Sequence, residues 1–229
     1  MCIIGDVPTG DSGTARPCDR HHPVDVMEMA SDERAEMADF LESLTPEQWD
    51  APSLCAGWRV RDVAAHLISY EEHGNADLLR SFVRARFRPG RLNDVARAEY
   101  SARTPADLVA FLRDHLRPQG VTAARGGGVG LVDALIHHQD MRRPLGMPRR
   151  IPAERLEYAL PFAVTAPPLR GFWHARGVRI VAGDVGWARG RGPEARGDAE
   201  AVLMVLAGRR GVASELTGPG ADVLRRRLG

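Results

Sequence analysis

The sequence predicts a mainly α-helical protein, an antiparallel four-helix bundle followed by a small α/β unit. Three observations carry this. Apolar residues recur at helical spacing in successive stretches up to Arg143-Pro144. Turns containing proline and glycine separate those stretches, as neighbouring antiparallel helices require. Beyond Pro167-Pro168 the texture changes to short apolar runs around glycines, the pattern of short strands.

Residues 1–26 read as a disordered tail, rich in glycine, proline and charge, with an apolar stretch too short for a signal peptide. Met27 or Met29 is an alternative start, and Cys18, His21 and His22 in the tail are stray metal binders at most. The first helix carries Met37, Phe40, Leu41 and Leu44 at i, i+3, i+4 and i+7 and stops at LTPEQWDAPSLCAGW. The second runs from about Val60 past His73, with Val63, His66, Leu67 and Tyr70 on one face, and reaches Phe87 at most before RPGR (Arg88 to Arg91) breaks it. The third opens at Thr104-Pro105, an N-cap followed by proline in the first turn, and aligns Leu108, Phe111, Leu112 and Leu116. Gly126 to Gly128 lead into the fourth, which carries Val129, Val132, Asp133, Ile136 and His137 on one face. A fifth helical stretch, about Ala153 to Val164, ends at the prolines.

The expected division is a bundle over 27–168 and an α/β unit over 169–229. The second contains two short strands around a Gly-Asp turn in GVRIVAGDVGWARGRGP, a helix in RGDAEAVLMVLAGRR, and a turn and terminal helix in SELTGPGADVLRRRL. Such a unit is too small to be very stable alone and is expected to pack on the bundle.

At 229 residues and 44 % hydrophobic, the chain can bury a core. A net charge of +1 argues against a dedicated nucleic-acid surface. All 31 basic residues are arginine, and the local cluster Arg84, Arg86, Arg88 and Arg91 reads as a solvated helix end. No apolar run has the length of a membrane span, and three scattered cysteines make no disulfide framework. The expectation is a cytoplasmic protein with neither nucleic acid nor membrane as partner; the oligomeric state leaves no trace in the sequence.

The chemistry-bearing residues are His66 and the pair Asp133/His137. Polar side chains on an apolar stripe point inward, where burial without partners is costly. Asp133 and His137 are four residues apart, so their Cβ atoms lie about 5–6 Å from one another on adjacent helical turns. That spacing suits two ligands of one metal, with His66 from another helix as the third. It equally suits a surface ion pair, and an inward histidine is also met as a core residue bonded to a carbonyl. His138 points about 100° away from His137, so only one of the two can be a ligand, and His137 is chosen; His138 and Asp140 are candidates for groups behind the ligands. Arg142 and Arg143 are candidates to hold a substrate or cofactor carboxylate, or else complement the helix dipole. Arg59 and Arg61 face the same choice. Cys55 reads as a small buried turn residue, since no histidine adjoins it in sequence, and Trp49 and Trp58 as packing for the turn. RGRGPEARG lacks the spacing and lysine of a phosphate loop.

LTPEQWDAPSLCAGWRVRDVAAHL, DALIHHQDMRRPLG and GVRIVAGDVGWARGRGPEARGDAEAVLMVLAGR resemble the DinB/YfiT-like metalloenzymes, specifically their actinobacterial branch, the mycothiol-dependent maleylpyruvate isomerase family. The resemblance implies a DinB-like bundle, a small C-terminal domain and a divalent metal, commonly zinc. Its ligands would be a histidine from the second helix and an E-x3-H pair from the fourth, here His66, Asp133 and His137. Aspartate replaces the glutamate of the isomerase, and its stem is one methylene shorter, so metal or helix must shift. A His/His/carboxylate set also suits iron or nickel. Mycothiol bound as thiolate would attack a small electrophile: addition to a cis double bond, rotation and elimination make an isomerase, and release of the conjugate an S-transferase. The same site with water would support hydrolysis. A non-catalytic bundle that binds a ligand or a partner is the alternative from another class.

Overall fold

The structure, a computed structural model, describes residues 25–72 and 103–228. Residues 1–24 of the expected tail, the continuation of the second helix towards Phe87 and the Arg84–Arg91 cluster lie outside them. Helix α1 (Val26–Glu42) begins where the Asp25 carboxylate accepts hydrogen bonds from the backbone N–H groups of Met27 and Glu28. The helix therefore starts at Val26, within the stretch expected to be tail; a chain begun at Met27 would lack a cap worth about 1 kcal/mol.

A short helix α2 (Pro46–Trp49), closed by a Thr45/Gln48 capping box, turns the chain into α3 (Val60–Glu72). Helix α4 (Pro105–Asp114) has the expected cap, with Thr104 and Asp107 bonded reciprocally, but it stops before Leu116. Helix α5 (Gly128–Arg142) is entered through Gly127 at φ +93°, a conformation that residues with a Cβ rarely adopt. Helix α6 (Ala153–Thr165) follows and ends at the 3-10 turn Pro167–Leu169.

Helix α1 packs against α5 and α4, and α3 packs against the same two helices. Helix α6 covers another side of α5. With neighbours on three sides α5 is buried almost all round, which corrects the expectation of a one-faced helix: His138, Gln139 and Asp140 are as enclosed as Leu131 and Leu135. Each such polar group must then find a partner inside the protein.

The C-terminal unit holds α7 (Gly171–Ala175), strands β1 (Arg179–Ala182), β2 (Trp187–Arg189) and β3 (Glu194–Gly197), α8 (Ala199–Leu206) and α9 (Pro219–Leu228). The sheet order is β2-β1-β3, with β1 antiparallel to β2 and parallel to β3. Two strands were expected and three are present. β3 escapes the sequence pattern because it is short and Ala195 is its one buried side chain; pairing with β1, and of Arg196 with Thr217, defines it. Helix α8 buries nearly all its side chains, among them Val202, Leu203 and Met204, each worth roughly 1.5–3 kcal/mol when fully removed from water. Buried apolar side chains run without a break from Leu135 on α5 through Leu160 on α6 to Ile180 on β1 and Leu203 on α8. No helix of the described residues is long and apolar enough to cross a membrane.

Candidate metal centre

Because α3 lies beside α5, the inward residues of the two helices meet. His66, Asp133 and His137 each offer a donor atom, and these atoms lie within 4.8 Å of one another. His137 Nε2 stands 3.6 Å from Asp133 Oδ1. The His66 ring meets that of His137 edge-on, with centroids 5.0 Å apart, and packs at 5.2 Å against Trp58. Trp49, by contrast, is a core residue.

Behind His137 stands Asp140. Its Oδ2 is 2.9 Å from His137 Nδ1. A carboxylate only accepts, so Nδ1 carries the hydrogen and Nε2 faces His66 and Asp133 with the atom a metal would take. Arg209, arriving from beyond α8, donates from Nε to Asp140 Oδ1 at 2.7 Å and from Nη2 to Oδ2 at 2.6 Å. Cys55 completes the group: its thiol donates to Asp140 Oδ2 at 3.1 Å and lies 3.9 Å from His137 Nδ1. Cys55, His137 and Asp140 also form a cluster of possible ligand atoms, but the Arg209 guanidinium already occupies the cation's place there.

Burial, followed by the His137 and Arg209 charges, holds His66 well below the ordinary imidazole range, so it is a neutral donor. Burial likewise raises the Asp133 carboxyl. For His137 burial opposes protonation, yet the Asp133 and Asp140 carboxylates and the Cys55 contact outweigh it and push the imidazole up to about 10. Burial acts against the Asp140 charge too, but the bonds from Arg209 and His137 keep this carboxyl well below its usual range. Two imidazoles and a carboxylate, with the strongest basicity at Nε2 of His137, match what a divalent cation takes, and such an ion would replace that proton.

The remaining sequence candidates have other partners. His138 turns to α1, away from His137: its Nε2 accepts from Arg142 Nε at 2.8 Å, and its Nδ1–H donates to Glu33 Oε1 at 2.8 Å. Glu33 also receives Arg149 and Arg155, which reach Glu36 as well. Arg142 lies over the Phe40 ring at 4.2 Å. Arg143 forks onto Glu200 and Glu215 of the C-terminal unit. Protein carboxylates and rings thus take up both guanidinium groups, the alternative to their holding a substrate or cofactor carboxylate. Arg59 pairs with Asp62 and Asp50, and Arg61 with Asp50. Sequence reasoning assigned Cys55 to the packing of a turn, where its thiol instead joins Asp140, and did not single out Arg209. Their signal is purely three-dimensional, since they stand 85 and 69 positions from Asp140.

Residues 30–119 match the family model of the mycothiol maleylpyruvate isomerase N-terminal domain. That segment includes Cys55 and His66 but ends before Asp133. No curated protein matches significantly. Two solved structures are similar: a mycothiol-dependent maleylpyruvate isomerase (TM-score 0.52) and a histidine-to-alanine mutant of such an enzyme (0.51). Each is 11 % identical, with 85 % of this chain and 91 % of the other covered. At that identity the likeness is one of fold, and its extent takes in both the helical part and the C-terminal unit.

Proposed function

We propose, from the match of residues 30–119 to the mycothiol maleylpyruvate isomerase N-terminal domain model, that the chain is a thiol-dependent isomerase or S-transferase. It uses mycothiol and a divalent metal, and its substrate is a small electrophile. In this reading α1, α3, α4 and α5 are a DinB-like four-helix bundle, and residues 169–229 are a second domain that delivers Arg209 to its metal centre. The observation that carries the reading is the convergence of His66, Asp133 and His137 with a carboxylate placed directly behind His137.

His66, Asp133 and His137 would hold the ion, zinc first and nickel or iron next by ligand type. Such an ion supplies Lewis acidity, which takes a thiol to its thiolate at neutral pH. Asp140 keeps the Nδ1 hydrogen of His137 in place and so fixes which nitrogen faces the centre. Trp58 packs on the His66 ring and restricts its rotation. Arg209, held by both oxygens of Asp140, keeps that carboxylate ionised and in place behind His137.

The test is turnover of maleylpyruvate, and of other cis-alkene acids, with and without mycothiol, before and after chelation. The expected result is turnover that needs the thiol, disappears on chelation and returns with zinc. Metal-dependent hydrolysis indifferent to the thiol would overturn the reading in favour of bound water.

A further inference from the structure

The C-terminal unit carries an apolar groove of about 380 Å³ that the chemistry above does not use. That volume lies within the range of small-molecule sites. Its origin is the sheet. Ile180 on β1 is buried, and its antiparallel partner on β2 is Arg189; Ala182 pairs in the same way with Trp187. Cross-strand partners share a face, so Trp187 and Arg189 continue the core-facing surface of the sheet past the edge of its helical cover. Val164, Ile180 and Leu206 form the apolar floor.

The walls are held firmly. Helix α7 raises Phe172 and Trp173, 57 % and 59 % exposed, the large apolar side chains most open to solvent among the described residues. This is not looseness: α7 sits so close to α6 that a Cβ on Gly171 would stand 2.3 Å from the Ala163 carbonyl oxygen. Arg227 also donates to the carbonyls of Trp173, His174 and Arg176. The opposite wall is the loop through Gly190 and Gly192, at φ +92° and +119°; added Cβ atoms would lie 2.2 Å and 2.4 Å from the Val178 and Gly177 carbonyl oxygens.

Arg176, Arg189 and Arg191 line this groove, all exposed, and no carboxylate does. None of the three has an acidic partner among the described residues; Glu194, on the other edge strand, pairs with Arg179 and Arg196. Arg176 instead stands over the Trp173 ring at 5.9 Å. An apolar floor between aromatic walls, rimmed by cations without counter-charge, is complementary to one kind of occupant. We propose that this groove binds a small organic anion with an apolar body, such as a medium-chain carboxylate or an aryl sulfonate. The body lies between Phe172 and Trp187, above the buried Val164, Ile180 and Leu206, and the anionic head meets Arg189 and Arg191.

The full chain is titrated with 8-anilinonaphthalene-1-sulfonate, and the bound dye is then challenged with decanoate or decyltrimethylammonium below their micellar concentrations. One saturable site is expected, emptied by decanoate and not by the cation of equal chain length. The exposed double variant Arg189→Glu/Arg191→Glu should bind the dye at least about tenfold more weakly with an unchanged thermal midpoint. His66→Ala should bind it as the parent does, which separates this groove from the metal centre. Dye binding indifferent to the double variant, displacement by both detergents alike, or no binding at all would overturn the proposal. So would sedimentation with phosphatidylglycerol vesicles that decanoate does not reverse, which would make the groove a membrane contact.

Discussion

Two buried polar clusters flank helix α5, one built on His137 and the other on its neighbour His138. Around His138 each acceptor meets a donor: Glu33 takes hydrogen bonds from His138, Arg149 and Arg155, and His138 takes one from Arg142. Around His137 the donor atoms of three ligand-type residues converge within 4.8 Å, and charge balance is reached only behind them, at Asp140 and Arg209. The first arrangement is complete within the protein and ties α1 to α5 and to the segment before α6. The second has the electrostatic form of a cation site. One helix serves both purposes because consecutive residues point about 100° apart.

Removing a member of the complete cluster should have the largest effect on stability. Glu33→Ala leaves Arg149, Arg155 and His138 buried without their anion and should cost about 3–5 kcal/mol in urea unfolding, with metal content per folded molecule unchanged. A cost below about 1 kcal/mol would show that the cluster does not hold the helices together. Asp140→Asn acts on the other cluster. It weakens the anchor of His137 and the tie to Arg209, and should lower metal affinity by about 10–100-fold, read by competition with a chelating dye. Equal affinity in parent and variant would remove Asp140 from the account.

The smallest effect is a pH dependence. Burial first, and the Arg149 and Arg142 charges next, hold His138 down at about 4 despite its bond to Glu33, against an ordinary value of 6.5. Above 6.5 the imidazole is neutral in both folded and unfolded states. As pH falls from 6.5 towards about 4 only the unfolded chain takes the proton, so this group's stability contribution is full above the window and lost across it. His138→Gln, which can still accept from Arg142 and donate to Glu33, should show a shallower loss of unfolding free energy between pH 7 and 4.5. Parallel curves for parent and variant would place the acid sensitivity elsewhere.

The helices were legible in the sequence wherever a local rule sufficed. Met37, Phe40 and Leu41 mark the α1 face, Thr104-Pro105 the start of α4, and the glycines before Val129 the entry to α5. His66, Asp133 and His137 come within 4.8 Å of one another; His66 was marked by its place among apolar residues on α3, and the other two by their i, i+4 spacing on α5. Burial of α5 on several sides was not: the partners that make His138 and Asp140 tolerable inside, Glu33 and Arg209, lie 105 and 69 positions away. Cys55 escaped for the same reason, since its histidine neighbour comes from another helix, 82 residues on. β3 was hidden because one buried alanine carries no alternation.

The most direct measurement is the metal content, by mass spectrometry, of the tag-free full chain and its His66→Ala variant after exposure to zinc. Keeping the full chain preserves the Asp25 cap, and Cys18, His21 and His22 are common to both proteins. The account predicts about one equivalent in the parent and little in an equally folded variant. A folded parent that takes up no metal, or a variant that keeps as much as the parent, would contradict it.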